Sequence, residues 1–86
     1  MFTAYILKSE TTNKYYIGSC ESIDERLALH NAGRVRSTKS GLPWILVHKE
    51  QFHSRSEAWK REFQIKSWKS RAAIEKLVKT AQNSGV

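Results

Sequence analysis

Apolar and polar positions along this chain fall into short runs separated by clear punctuation. Phe2-Thr3-Ala4-Tyr5-Ile6-Leu7-Lys8 reads as a strand, and so does the run from Lys14 to Ser19. Between them Glu10-Thr11-Thr12-Asn13-Lys14 has the composition of a turn, so the two runs predict a hairpin. Ser22-Ile23-Asp24-Glu25 then forms a capping box, with Ser22 as N-cap and Glu25 three residues on. It predicts a helix to about Asn31, ended by Ala32-Gly33. Arg34 to Pro43 reads as a basic polar loop, and Trp44-Ile45-Leu46-Val47-His48 as a third strand with Pro43 at its edge. Ser54-Arg55-Ser56-Glu57 is a second capping box, opening a helix to about Ile65 or Ser67, and a last helix is expected from Ser70 to about Ala81. The order β-β-α-β-α-α predicts an α/β (α+β) domain over residues 1–82: a small three-stranded, largely antiparallel sheet flanked by helices. Residues 83–86 are expected to fray.

The hairpin makes the tyrosines informative. Tyr5 and Tyr16 come close together on neighbouring strands. A tyrosine is costly to bury unless its hydroxyl finds a partner, so the pair suggests a site rather than core filling.

Composition narrows the function classes. With 86 residues, 40% of them hydrophobic, the chain suits one small core. Its single cysteine, Cys20, excludes an intramolecular disulfide and a multi-cysteine zinc site. Met1-Phe2-Thr3 opens directly into a strand-like run without the pattern of a signal peptide, and no apolar stretch nears the ~20 residues of a membrane span. A cytoplasmic protein with no membrane partner is the simplest reading. Fifteen Lys and Arg against eight Asp and Glu give a net charge of +7, which points to a polyanionic partner, most often nucleic acid.

The helical positions supply candidate chemistry. In the first helix Ile23, Leu27 and His30 share one stripe, with Arg26 at its edge and four residues from His30. Two readings stand: Arg26 and His30 reach the tyrosine-bearing sheet surface, or Arg26 pairs with a nearby acid and His30 is a satisfied boundary residue. In the second helix Ala58, Trp59, Glu62, Phe63 and Ile65 fall within an arc of roughly 160°, with Lys60, Arg61 and Gln64 on the other side. Glu62 sits inside that apolar arc and needs a partner. Lys66, four residues on, offers a plain ion pair; a divalent cation is the alternative, because Mg²⁺ is often held by one or two carboxylates with waters and phosphate completing its shell. Arg34, Arg36, Lys39, Lys66, Lys69 and Arg71 are candidates for phosphate contact. Trp44 and Trp59 are expected in the core, leaving Trp68 as the best base-stacking candidate. His30, His48 and His53 lack zinc-site spacing, the glycines do not form a phosphate-cradling loop, and Cys20 has no evident base partner.

Five positions in order now carry a family resemblance. Thr3-Ala4-Tyr5 and Tyr16-Ile17-Gly18 stand where the GIY-YIG nucleases have their two triplets, at the usual spacing. Arg26 and His30 match the R-x-x-x-H of the following helix, and Glu62 matches the family's metal-binding glutamate. The chain resembles most closely the small stand-alone bacterial branch called UPF0213 or YhbQ-like, sharing Asn31-Ala32-Gly33, Thr38-Lys39, Pro43-Trp44, Ser54-Arg55-Ser56-Glu57-Ala58 and Ile65-Lys66-Ser67-Trp68-Lys69.

The resemblance implies a single-metal endonuclease that hydrolyses DNA phosphodiesters, weakly sequence-specific or structure-selective, with a family-level expectation of a role in DNA repair. Glu62 would hold one Mg²⁺ or Mn²⁺ ion. Tyr5 would act as general base or position the water, the former only if nearby positive charge lowers its pKa. Arg26 would stabilise the transition state, and Tyr16 and His30 would orient water or phosphate. The first triplet departs from the family pattern in all but its tyrosine, and the asparagine many members carry near the domain end has no equivalent here. The expected partner is duplex or branched DNA, bound by a monomer or weak homodimer. The alternatives are an inactive DNA- or RNA-binding module that keeps the fold, and a small RNA- or ribosome-associated protein.

Overall fold

A computed structural model describes residues 1–83. Its sheet is built on β1 (Phe2–Ser9), which lies between β2 (Tyr15–Cys20) and β3 (Trp44–Phe52) and pairs antiparallel with both. The central position explains the composition of β1. Ala4, Tyr5, Ile6 and Leu7 are consecutive and all buried, because both faces of this strand are covered. Three helices do the covering: α1 (Ile23–Asn31), α2 (Arg55–Ser67) and α3 (Arg71–Asn83). On one face Tyr5, Leu7, Cys20 and Trp44 form a core against which Ile23 and Leu27 of α1 pack. On the other, Ile6 and Ile17 meet Ile65 of α2 and Val78 of α3.

The strand pairing sets the site's register. Tyr5 faces Gly18 and Leu7 faces Tyr16 across the β1–β2 ladder. Side chains alternate between faces, so Tyr5, Tyr16, Gly18 and Cys20 share the α1 face, while Ile17 and Ser19 point to the α2 face. The hairpin turn is tied by Ser9, whose backbone amide donates to Lys14 O and whose hydroxyl accepts from the amides of Thr11 and Thr12. Asn13 takes the left-handed conformation (φ 62°) that asparagine tolerates in turns.

Both serine N-caps form, without the return bond from the glutamate to the cap's own amide that would complete a capping box. Ser22 Oγ accepts from Glu25 N at the start of α1, and Ser54 Oγ from Glu57 N at the start of α2. Helix α1 ends with Gly33 N donating to His30 O and Arg34 N to Leu29 O, a closure made possible by the positive φ (73°) of Gly33.

Several expectations change in detail. Arg34 to Pro43 is not plain loop: residues Arg36–Gly41 form a 3₁₀ helix that delivers Thr38 to the interior. Strand β3 runs on to Phe52 rather than ending at His48, since it pairs with β1 along its length. Helix α3 extends to Asn83, and the rest of the expected frayed tail, residues 84–86, lies outside the described residues. Among the described residues no helix is long and apolar enough to cross a membrane.

The face of α2 is the main correction. Ala58 and Ile65 are buried, but Trp59 and Phe63 are 56% and 62% exposed, so Trp59 is not a core residue. The stripe facing the sheet is instead Ala58, Arg61, Glu62 and Ile65, spaced three and four residues apart. Arg61 belongs to it because its guanidinium binds Glu50 of β3 in a fork, with Nε at 3.0 Å from Oε1 and Nη2 at 3.1 Å from Oε2. Glu50 also bonds His48 Nε2 at 2.7 Å. Burial would raise the Glu50 carboxyl, but Arg61 and His48 together hold it below its ordinary value. Trp68, the expected stacking residue, packs against the Ile6–Ile65 core with the Arg61 guanidinium over its ring. Its ring is partly buried between that core and the guanidinium.

Candidate active site

Three of the predicted residues converge on the α1 face of the sheet. The Tyr5 hydroxyl lies 3.0 Å from His30 Nε2. Tyr16 completes the group, its ring centroid 5.0 Å from His30 and 6.4 Å from Tyr5. Gly18 makes the arrangement possible, since a Cβ built there would sit 2.5 Å from Tyr5 Oη. The Tyr5 side chain therefore crosses the backbone of the edge strand β2 at the only residue type that leaves room.

The hydrogen bonds around His30 define its tautomer. Thr38 Oγ1 donates to Val35 O at 3.3 Å, so its oxygen is free to accept from His30 Nδ1, 2.8 Å away. With the proton on Nδ1, Nε2 is bare and accepts from the Tyr5 hydroxyl. Burial and the nearby Arg26 charge both lower the His30 pKa, which favours this neutral form. Thr38 was not among the predicted residues. It stands in a polar stretch with no periodicity to single it out.

Tyr5 is 1% exposed, and burial pushes its phenol far above the ordinary value. Tyr16 raises it further, and the opposing pull of Arg26 does not compensate. The condition for a free phenolate at Tyr5, positive charge winning over burial, is not met. Burial likewise raises the Cys20 thiol, against the pull of Arg26. Arg26 itself is half-buried, and among the described residues no carboxylate pairs with it. It lines a cleft of about 430 Å³ together with Cys20, Glu21, Ser22, Glu25, Leu29 and Arg55, and Glu21 there pairs with Arg55 rather than with Arg26.

Glu62 stands on the other face of the sheet. One carboxylate oxygen accepts from Ser19 Oγ at 2.6 Å and the other from Lys66 Nζ at 2.6 Å. Ser19 is the strand neighbour of Gly18, so the two halves of the site meet at the edge strand: Tyr5 crosses it at Gly18, and Glu62 grips it at Ser19. The Glu62 charge is close enough to contribute to the raised pKa of Tyr5. Among the described residues no group of three or more His, Cys, Asp or Glu side chains is arranged to hold a metal ion.

The predicted phosphate contacts divide. Arg34, Arg36, Lys39 and Lys69 are exposed and make no ion pair among the described residues. Lys66 is engaged with Glu62. Arg71 is used structurally: it bonds Glu75 and Asn13 O and stacks on Tyr15, pinning α3 to the hairpin turn.

The lowered pKa of His30 has a consequence for stability. The unfolded chain takes up a proton at a higher pH than the folded one, so stability falls as pH drops below about 6.5 toward the folded value. Above that window both states are neutral and the term vanishes. Melting temperature is expected to fall between pH 7.5 and pH 5.5, and to fall less in His30→Gln, which has no proton to gain. An equal fall in both proteins would show that other groups govern the acid limb.

The GIY-YIG catalytic domain matches residues 1–78, and the chain belongs to that family. Within it, relatives include UPF0213 proteins. The chain is 42% identical over 65 residues to one from Staphylococcus haemolyticus, covering 74% of this chain and 78% of the relative. It is 38% identical over 78 residues to one from Halobacterium salinarum, covering 90% and 99%. The solution NMR structure of the UPF0213 protein from Bacillus halodurans is similar with a TM-score of 0.59 and 30% identity, over 93% of this chain and 85% of that one.

Proposed function

We propose that this protein is a metal-dependent endonuclease that hydrolyses DNA phosphodiester bonds, weakly specific for sequence or selective for structure. The observation that carries this reading is Arg26, an unpaired guanidinium on a cleft wall with the hydrogen-bonded Tyr5–His30 pair within reach of its field. A guanidinium left without a carboxylate in a half-buried position suits an anion supplied by substrate.

The residues divide the work as follows. A scissile phosphate sits on Arg26, which stabilises the charge that grows on the phosphoryl oxygens. The Tyr5 hydroxyl receives a proton from the attacking water as its own proton passes to His30 Nε2. No free phenolate is needed, which answers the high pKa of Tyr5. His30 keeps its Nδ1 proton on Thr38, so the imidazolium is formed in a fixed orientation. The bound phosphate offsets the Arg26 charge that otherwise lowers the His30 pKa. Tyr16 packs against His30 and limits its movement.

GIY-YIG nucleases generally use a divalent metal, and the donor set on the α2 face fits a hard cation. Glu62 offers carboxylate oxygens on a side chain still 16% exposed, and its Lys66 partner is 50% exposed, a pair weak enough to exchange. Glu62 would hold one Mg²⁺ or Mn²⁺, with waters and phosphate as the other ligands. The metal would neutralise charge at the phosphate and the leaving oxygen.

Duplex, single-stranded, flap and branched DNAs, incubated with Mg²⁺, Mn²⁺ or chelator, test the proposal. Wild type is expected to nick only with metal, and Arg26→Ala to lower the rate by roughly 10²–10³-fold with an unchanged melting temperature. One observation favours a binding-only module: both Glu62 oxygens are already satisfied. DNA that is retained but stays uncut with every metal and pH would decide for it.

A further inference from the structure

Among the described residues the exposed large hydrophobic side chains include one aromatic pair, Trp59 and Phe63. They stack on each other, with ring centroids 5.6 Å apart and planes 26° from parallel. Neither belongs to either core cluster, and Ala58 and Ile65 already seat α2 on the sheet. The fold therefore has no use for two large apolar rings in solvent. Being four residues apart on one helix, they hold each other's orientation, so a flat partner meets a surface already ordered.

The surroundings say what the partner is. Trp59 lies three residues before Glu62 and Phe63 one after it, so the pair stands on the solvent side of the proposed metal ligand, one helical step round α2. Arg55, four residues before Trp59, lines the Arg26 cleft, and Lys66 lies four residues after Glu62. Arg55 pairs loosely with Glu21 at 3.8 Å and Lys66 with Glu62, and both cations are half or more in solvent, so α2 offers exchangeable cations at both ends of an aromatic surface, in a chain of net charge +7. A ligand with flat apolar rings on a phosphate backbone fits this arrangement. In a duplex the ring faces are covered by neighbouring base pairs, so only unpaired nucleotides offer them.

We propose that the Trp59–Phe63 face of α2 is a stacking platform for unpaired nucleobases, and that it directs the protein to single-stranded segments of its substrate. The proposal deepens the nuclease reading and rests on nucleic acid being the substrate.

Binding separates the two ideas, because it is measured in chelator without cleavage. Fluorescence anisotropy would compare a short single-stranded oligonucleotide, its abasic counterpart and a blunt duplex. Trp59→Ala and Phe63→Ala are each expected to weaken single-strand binding by roughly 5- to 100-fold and to change duplex binding by about twofold or less. Trp59→Phe restores most of the loss. On the abasic strand, which keeps the phosphates but lacks the rings, wild type and Trp59→Ala bind alike. Both rings are exposed, so circular dichroism is expected to show native folds. Single-strand binding unchanged by Trp59→Ala, an equal loss on duplex, or a wild-type dimer that Trp59→Ala dissociates would each overturn the platform. Trp59-dependent binding without nicking under any metal would overturn the nuclease reading alone. Metal-dependent nicking without Trp59 dependence would do the reverse.

Discussion

Glu62→Ala is expected to lose metal-dependent cleavage by roughly 10³-fold or more while still retaining DNA. The argument is one of charge. Glu62 is the carboxylate the site offers to a cation, and its oxygens are held in place by Ser19 and Lys66. Removing it deletes the metal ligand, frees the Lys66 ammonium and takes one negative charge from a basic face. DNA affinity in chelator is therefore expected to stay level or rise, with a slightly steeper salt dependence. Stability changes little, because the Lys66 pair is half in solvent and the Ser19 bond contributes about 1 kcal/mol. Glu62→Gln sharpens the test: its amide oxygen can still accept from Ser19, but it carries no charge. It should bind as the alanine variant does and remain uncut. Cleavage surviving in both variants would remove Glu62 from the mechanism; a parallel loss of DNA binding would recast it as a structural residue.

Much of this architecture is legible in the chain because it rests on local rules. The two serine N-caps, Gly33 and the polar turn after β1 act within a few residues, and each forms as expected. Tyr16-Ile17-Gly18 is legible for a different reason: its glycine answers a steric demand from Tyr5 on the neighbouring strand. What the chain conceals is set by distant polar pairs. Apolar residues alone suggest that α2 turns Trp59 and Phe63 inward. The Arg61–Glu50 fork, joining residues eleven apart and anchored by His48, rotates the helix the other way. No periodicity within α2 reveals a partner on β3. Strand β3 itself is concealed beyond His48 because Lys49, Glu50 and Gln51 read as polar surface, which is what an edge strand tolerates. Thr38 and Ser19 are concealed because hydroxyls are common in loops and strands, and only the positions of His30 and Glu62 make these two matter. The proposed proton path through Tyr5 and His30 depends on one of them.

Gly18→Ala probes the other end of that path. The added methyl would lie 2.5 Å from Tyr5 Oη and 2.6 Å from Cζ. Something must move, and a buried, hydrogen-bonded aromatic ring is a poor candidate for a cheap adjustment. Either Tyr5 swings away, breaking its bond to His30 in an interior that leaves both groups unpaired, or β2 shifts and takes Ser19 and Glu62 with it. Overpacking of this kind costs about 1–3 kcal/mol, and an unsatisfied buried polar group adds a similar amount. The variant is therefore expected to be destabilised by about 2–5 kcal/mol in denaturant titration and to lose cleavage even at temperatures where it is folded. Background dependence identifies the cause. In a Tyr5→Ala protein the ring is gone, so the same Gly18→Ala change is expected to cost less than about 1 kcal/mol, a non-additivity that marks direct contact. Equal costs in the two backgrounds would mean that Gly18 serves the conformation of β2 rather than the passage of Tyr5, and the geometric reason for the second triplet would have to be sought in the strand itself.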